Sequence, residues 1–329
     1  MSDVPLPSGR FDACLGICKG RELLPFLRRY DEGRALAAVG PELSVLVRHW
    51  PWPMSHQFGS KGSGPGQFNS PSNIAFSSDG YIVVCDTYNH RMQIFQPDGT
   101  FVRKWGSFGI EQGQFNHPSS VAVSSNDDVF VLGLYHVQVF RLDGSFVCSW
   151  GSSGTAPGQF QACKGVAIHN DMVLISDTGN HRIQCFGLDG TFMRMWGTKG
   201  TAPGQFRGPC GLAVSSIGEV FVCDTGNKRM QVFDLNGTFQ RTWGSNGIAP
   251  NEINYIYCVA VSSVGEVLVS DRMHVQVFLA DGTFVCSLHL PDDTRTKFDE
   301  HIYVNVMPSR DVVICDGKYN CIYVELAGA

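Results

Sequence analysis

The sequence has little charge, no long apolar run and no apolar stretch at its start. Charged residues make up 17% of the 329 residues and hydrophobic residues 43%, a composition that excludes a disordered chain and allows a large core. No segment approaches the roughly 18 apolar residues of a membrane span, and the start, MSDVPLPSGR, lacks the apolar core of a signal peptide. We therefore expect a globular protein of the cytosol or nucleus, most simply cytoplasmic, with no membrane partner.

Excess basic charge is also absent, because the formal net charge is -5. This balance disfavours a broad nucleic-acid-binding surface, although it permits a local basic patch. The 12 cysteines occur without a secretory signal, so we interpret them as reduced thiols. Cys14 and Cys18 lack the second pair of a zinc module, which argues against a RING or B-box domain.

A repeat is the strongest positive feature of the sequence. The tetrapeptides PGQF or QGQF end at Phe68, Phe115, Phe160 and Phe206. A second series of Trp-Gly pairs begins at Trp105, Trp150, Trp196 and Trp243. Both series have a period of roughly 46 residues, which lies in the range typical of propeller blades.

Each unit contains four short β-type runs separated by turn signals, for example SNIAFS, YIVVCD, RMQIFQ and TFVRKW. Such a four-stranded meander buries both faces only when neighbouring sheets stack, so the fold class is an all-β, six-bladed β-propeller. We assign it residues 51–329. The sixth copy stops after its third strand, and a strand near residues 52–58 is expected to complete it and close the ring.

The unit GPGQFNSPSNIAFSSDGYIVVCDTYNHRMQIFQPDGTFVRKWG resembles the NHL repeat, and its NHR segment, residues 89–91, matches the tripeptide that names the repeat. The chain is similar in this respect to the NHL domains of TRIM-NHL proteins. The resemblance implies a protein-binding propeller, possible RNA binding on a basic loop face, or a zinc-dependent lyase of the peptidyl-amidoglycolate type with histidine ligands in its channel.

An acid and an arginine recur five residues apart, at the end of the second strand and the start of the third. The pairs are Asp86 with Arg91, Asp177 with Arg182, and Asp224 with Arg229. Because catalysis seldom needs one set three times around a ring, we interpret them as structural loop clamps made by ion pairs.

Histidines are spread around the ring, whereas a zinc site needs ligands that converge on one ion. They occupy similar loops in different units, at His90, His136, His181 and His274. We therefore predict no metal, no cofactor and no enzymatic activity, and we rank the lyase as an improbable alternative.

The meander places the loops between strands two and three and between blades on one face, the long-loop face, and the tight turns on the other, the short-turn face. Counting the clamp acids, the long-loop face is near neutral, and the short-turn face is acidic. This charge favours a protein partner over RNA, which needs phosphate neutralisation. The predicted partner-binding residues are Phe108, Arg207, Arg229, Tyr255 and Tyr257, which supply the aromatic and arginine types of interface hot spots.

Residues 1–50 differ from the repeats and predict two or three short helices. The order LLPFL, an acidic connector, ALAAVG and Trp50 faintly resembles an F-box, the adaptor that links substrate receptors to a ubiquitin ligase. A helical cap on the propeller is the simpler alternative. The specific hypothesis is a propeller that recruits a protein substrate for ubiquitin-dependent regulation, with post-transcriptional RNA binding as the main alternative.

Overall fold

The computed structural model describes residues 56–247, 252–271, 275–288 and 302–325. The first strands along the chain are β1 (His56–Phe58), β2 (Pro71–Phe76), β3 (Ile82–Asp86), β4 (Arg91–Phe95), β5 (Phe101–Trp105), β6 (Ser120–Val123), β7 (Val129–Leu132), β8 (Val137–Phe140), β9 (Phe146–Trp150), β10 (Ser152–Ser153), β11 (Gln159–Phe160), β12 (Cys163–His169), β13 (Met172–Asp177), β14 (Arg182–Gly187) and β15 (Phe192–Trp196). The remaining strands are β16 (Pro209–Val214), β17 (Val220–Asp224), β18 (Arg229–Phe233), β19 (Phe239–Trp243), β20 (Ser245–Asn246), β21 (Glu252–Ile253), β22 (Cys258–Val261), β23 (Val267–Ser270), β24 (Val275–Phe278), β25 (Phe284–Leu288), β26 (Ile302–Val306), β27 (Val312–Asp316) and β28 (Cys321–Glu325).

These strands form six four-stranded antiparallel sheets, and the predicted six-bladed propeller is confirmed. Blades 1 to 5 are the meanders β2–β5, β6–β9, β12–β15, β16–β19 and β22–β25, and blade 6 is β26, β27 and β28 with β1. The short pairs β10–β11 and β20–β21 are parallel bridges inside the connections between blades.

Burial within a blade follows from stacking of the sheets. The two middle strands of blade 1, β3 and β4, are buried at every residue because the neighbouring sheets cover both of their faces. The outer strand β9 alternates between half-buried and exposed residues, as expected for a strand with one covered face. Each core cluster joins two adjacent blades, so that no sheet forms a core alone.

The repeated phenylalanine fills the gap between blades. Phe115 is fully buried, and its ring lies 5.5 Å from that of Phe140 in the next blade. The backbone of the Trp-Gly pair passes directly over this ring, since a Cβ added to Gly106 would lie 2.6 Å from the Phe115 side chain. Gly106 also has a φ of 101°, which disfavours other residues. The two sequence series therefore mark one packing unit.

The sixth sheet combines the first described strand with the last. β1 pairs antiparallel with β28, and Phe58 lies opposite Ile322 just as Trp105 lies opposite Met92 in blade 1. Phe58 thus occupies the position that tryptophan has in blades 1 to 4, so that the fourth strand of blade 6 comes from the N-terminal side of the ring. Residues 1–55, including the predicted helices, lie outside the described residues.

Buried cysteines stand at the end of the second strand in several blades. Burial, with the charge of the following aspartate, raises the pKa of Cys85 and Cys315 well above its usual range, so these thiols stay protonated at neutral pH. None of the ten cysteines within the described ranges forms a disulfide. No helix in the described part of the chain is long and apolar enough to cross a membrane.

Candidate functional site

The three predicted clamps are ion pairs between directly opposed residues of neighbouring strands. Asp177 ends β13 and Arg182 begins β14, and the Arg182 Nε donates to Asp177 Oδ2 over 2.8 Å. The aspartate is fully buried and the arginine side chain is 9% exposed. The other two pairs repeat this geometry, Arg91 with Asp86 at 2.7 Å and Arg229 with Asp224 at 2.8 Å.

Each clamp also holds the long connection from the previous blade. Arg182 donates to the carbonyl oxygens of Thr155, Ala156 and Gln159, which lie in the connection between blades 2 and 3. The carboxylate of Asp177 accepts the backbone N–H of Gln161 at 2.7 Å. A carboxylate so enclosed by donors has no open position for a substrate, which supports a structural role.

A buried glutamine completes the clamp, and the sequence analysis missed it. Gln184 donates from Nε2 to Asp177 Oδ2 and to the Gln159 carbonyl, and its Oε1 accepts the Gly158 N–H. Glutamine also occurs in the third strands of blades 1 and 2, as Gln93 in β4 and Gln138 in β8. Both make equivalent hydrogen bonds with the connection that precedes their blade. Its recurrence at one position of the repeat was the available signal.

Burial of the clamps removes three aspartates and their three arginine partners from the long-loop face, and it leaves the net charge of the face unchanged. Asp86, Asp177 and Asp224 have no exposed surface and are each paired with an arginine, so they contribute little to the field outside. The charges left on this face are mainly cations, namely Lys61, Lys164, Lys199, Arg207, Lys228 and Lys318. Among the described residues of these loops, the acids that are not buried are Glu111 and Glu252, whereas Asp271 and Asp316 are buried.

Three of these cations lie in blade 3 or in the connection between blades 3 and 4. Lys164, Lys199 and Arg207 are exposed, and none forms an ion pair with a carboxylate in the described part of the chain. Burial, followed by the charges of Lys199 and Arg207, lowers the pKa of His181. His181 Nδ1 accepts the Gly208 N–H at 3.0 Å, so the neutral ring carries its proton on Nε2.

The structure distributes the five predicted partner-binding residues among different environments. Phe108 and Tyr255 are 66% and 40% exposed, and Arg207 is exposed. Tyr257 is half-buried and lines the central channel instead of the outer loops. Arg229 is a clamp residue whose guanidinium also donates to the Ala202 and Gln205 carbonyls. Its expected availability to a partner does not fit this geometry, since its charge is already paired.

The central channel has a volume of about 210 Å³ and is lined by the first strands of all six blades. Its charged lining residue is Lys164, accompanied by polar groups such as Asn73, Ser120 and Asn305. Within the described ranges no group of three histidine, cysteine, aspartate or glutamate side chains converges to hold a metal ion. His274 lies outside those ranges.

The short-turn face is dominated by aspartates with a local role. Backbone and hydroxyl donation from Thr191 lowers the pKa of Asp189, and Thr100 acts in the same way on Asp98. These contacts are ordinary turn chemistry. The acidity of this face is also partly offset, because Arg241 from an outer strand pairs with Glu219 at 2.6 Å.

These features define a β-propeller whose blades are tied by buried acid–arginine clamps. The family model described as the NHL repeat matches residues 68–95, 160–186 and 206–233. Each segment runs from the buried phenylalanine to the end of the third strand, and the three segments are those of the clamped blades. The chain is therefore a propeller that contains NHL repeats.

Curated relatives match over short segments. E3 ubiquitin-protein ligase TRIM71 of Rattus norvegicus is 35% identical over 80 residues, which is 24% of this chain and 8% of the relative. Protein lin-41 of Caenorhabditis elegans is 38% identical over 77 residues, 23% of this chain and 5% of the relative. Protein brain tumor of Drosophila melanogaster is 47% identical over 45 residues, 14% and 4% of the two chains. The matched part spans less than a tenth of these relatives.

Solved propellers share the fold at low sequence identity. A gluconolactonase from Xanthomonas campestris superposes with a TM-score of 0.61 at 14% identity, over 80% of this chain and 88% of that chain. A streptogramin B lyase has a TM-score of 0.56 at 13% identity, over 83% and 87% of the two chains. At these identities the likeness is one of fold alone.

Proposed function

We propose that this propeller binds an acidic segment of a protein partner on its long-loop face and that it acts by binding, without catalysis. The observation that carries the proposal is the pair of exposed cations Lys199 and Arg207 on a connection held by a buried clamp, together with Lys164 in the channel lining. Rigid scaffolds with divergent loops commonly carry recognition sites. An acidic segment complements these cations and would be guided to this face by the charge difference between the two faces.

A more specific role in ubiquitin-dependent regulation follows from the relatives. TRIM71 is named an E3 ubiquitin-protein ligase, and its matching segment corresponds to part of this propeller. The propeller would then select a substrate, and residues 1–50, if F-box-like, would connect it to the ligase. We place this role in the cytoplasm.

RNA is the second candidate ligand, because the same cations would attract phosphate. Phosphate neutralisation dominates the affinity of most such complexes, so that RNA binding would fall steeply with salt. The net charge of -5 and the acids of the short-turn face oppose a polyanion more than they oppose a short acidic segment.

The test replaces Lys199 and Arg207 together with Glu in the full chain. Arg229 is left unchanged because its loss would release a clamp. Partners recovered by affinity purification are quantified by mass spectrometry and compared with those of a matched variant, Asp98→Lys with Asp143→Lys, on the opposite face. We expect loss of a direct, salt-sensitive protein partner only with the Glu variant.

Two outcomes would overturn this assignment. Loss of the partner only with the Asp98 and Asp143 variant, with both proteins folded, would place binding on the short-turn face. Tight binding of a mixed-sequence single-stranded RNA to the wild type, abolished by the Glu variant while no protein partner responds to it, would favour the RNA-binding alternative.

A further inference from the structure

Four rings form a continuous row where blades 1 and 2 meet on the long-loop face. Phe108 contacts His90 with ring centroids 4.9 Å apart, His90 contacts His117 at 4.5 Å, and His117 contacts Tyr88 at 5.2 Å. Phe108 and Tyr88 are 66% and 56% exposed, and Ile110 beside them is 77% exposed. The row, defined as Tyr88, His90, Phe108 and His117, is therefore an apolar surface open to solvent.

The other blades show that the fold does not need an aromatic residue at position 108. In each connection the equivalent residue bridges to the buried phenylalanine, or to Ile253 in the fifth. These equivalents are Lys61, Ser153, Lys199 and Asn246. Polar residues thus make the same backbone bridge, and Phe108 contributes its exposed ring in addition.

Tyr88 differs from the residues at the equivalent position of other blades, and its side chain remains largely exposed. Its equivalents in blades 3 and 4 are Gly179 and Gly226, where an added Cβ would lie 2.7 Å from the Gln161 carbonyl oxygen and 2.4 Å from that of Arg207. In blade 1 the corresponding hydrogen bond, from Tyr88 N–H to its partner carbonyl, is 3.1 Å long, against 2.7 Å for Gly179. Blades 3 and 4 hold glycine at this position and blade 6 holds Lys318, so the fold does not need a large exposed ring here, which points to a role outside the fold.

The His90 ring of the row favours its neutral form. His90 Nδ1 accepts the backbone N–H of His117 at 3.2 Å, and burial with the nearby His117 lowers the pKa of His90 below its usual value. Consecutive rings meet edge to face, at 65°, 75° and 85°. Stacked nucleic-acid bases need open ring faces, and a row of alternating edges offers few. Insertion of an apolar side chain suits this surface better.

We propose that the ring row anchors a large apolar side chain of an acidic peptide segment, whose carboxylates bind the cations across the same face. This inference rests on the proposed function and specifies its ligand as an acidic segment with one apolar anchor. The occupant follows from charge complementarity, because the connection between blades 3 and 4 carries the exposed cations Lys199 and Arg207, and Lys164 lines the channel on the same face. Aromatic residues within such a surface are the usual hot spots of protein recognition.

The substitutions for the test come from the repeats themselves. Phe108→Ser installs the uncharged residue that stands at position 153, and Phe108→Lys installs the residue at positions 61 and 199. Tyr88→Gly installs the residue at positions 179 and 226, so the fold accepts these substitutions. The control is Ile217→Ser, because Ile217 is 82% exposed on the short-turn face. Thermal melting of each variant verifies folding.

Random linear peptides displayed on phage serve as the probe against the full wild-type chain. We expect enriched peptides to combine several acids with one large apolar residue. A synthetic copy should lose affinity by about tenfold or more with Phe108→Ser or Tyr88→Gly, and not with Ile217→Ser. Replacing the apolar peptide residue with Ala should cause a similar loss in the wild type and little further loss in the variants.

The outcomes separate this proposal from the proposed function. Peptides that bind the ring-row variants as well as the wild type, but fail to bind the Lys199 and Arg207 Glu variant, would overturn the ring-row proposal alone. Peptides indifferent to both sets of substitutions, or no enrichment of any peptide, would count against both. A third outcome would be that no peptide binds and that mixed-sequence RNA binds the wild type but not Phe108→Lys. The ring row would then recognise nucleic-acid bases instead of an apolar peptide side chain.

Discussion

Removal of the Asp177 carboxylate measures what a clamp contributes to the fold. In Asp177→Ala, the Arg182 guanidinium stays in a site that leaves only 9% of its side chain exposed and loses its counter-charge. The Gln161 N–H and the Asn180 amide lose an acceptor at the same time. The single substitution therefore leaves both an uncompensated charge and unsatisfied donors.

The expected loss is about 3–5 kcal/mol of unfolding free energy, the range for breaking a buried ion pair by removing one partner. The lower part of this range is favoured, because Arg182 keeps its hydrogen bonds to the Thr155, Ala156 and Gln159 carbonyls. An exposed ion pair would contribute less than about 1 kcal/mol. Burial of the pair thus decides the magnitude.

Blade 2 shows how the loss of unfolding free energy in Asp177→Ala can be reduced. In its register, Gly133 follows β7 where the clamp aspartate would stand and His136 precedes β8 where the arginine would stand, so this blade lacks both charges. Removing both charges from blade 3, in Asp177→Ala with Arg182→Met, should cost clearly less than the sum of the two single substitutions. Such non-additivity is the signature of a coupled pair.

Urea unfolding of the single and double variants, followed by circular dichroism and tryptophan fluorescence, supplies the four free energies. Asp189→Ala is the control, because Asp189 is an exposed turn aspartate bonded to Thr191. A change below about 0.5 kcal/mol for Asp177→Ala, or strict additivity in the cycle, would refute the buried-clamp argument. Loss of a measurable reaction with unchanged stability would make the motif catalytic.

Three further predictions concern closure, the clamp glutamine and a histidine. Deletion of residues 1–58 removes β1 and exposes the edge of β28, so light scattering should detect association, and a monomer with unchanged melting temperature would contradict this. Gln138→Leu should lower the unfolding free energy by about 1–3 kcal/mol and speed amide exchange at Gly113, whose N–H it binds; unchanged exchange would argue against it. His90 should titrate by NMR with a pKa below the ordinary value of 6.5, because the folded state disfavours its charged form. This contribution to stability is present above pH 6.5 and is lost as the pH falls, and a titration midpoint at or above 6.5 would reject it.

The architecture was predictable because it depends on spacing. The period of the repeat sets the blades, and the place of Phe58 in the tryptophan series identifies the strand that closes the ring. The spacing of Asp177 and Arg182 likewise places them opposite each other across one turn. These inferences need only the strand period and the regular register of a meander.

The exposed charges could not be predicted from a count of residues, because a count does not show which charges are buried. Asp224 cancels Arg229 in the interior, so that neither acts on a partner, whereas Arg207, two strands away, remains exposed. The ring row joins Tyr88 to His117 from different blades, and such contacts are invisible in a single unit. Alignment of the repeat units would still have identified Phe108 as unusual, because polar residues stand at its equivalent positions.

A ring of nearly equal blades has no preferred direction, so a peptide that crosses it must be oriented by the places where the blades differ. The ring row lies between blades 1 and 2, and Lys199 and Arg207 lie between blades 3 and 4, across the channel mouth where Lys164 stands. An extended segment that uses both sites can keep its apolar anchor and its acids in contact in only one direction. A peptide of reversed sequence, with identical composition and charge, should therefore bind about tenfold or more weakly, if both sites contribute hot-spot contacts. Equal affinity of the two peptides would mean that charge alone holds them, and the asymmetry of the loops would have no part in recognition.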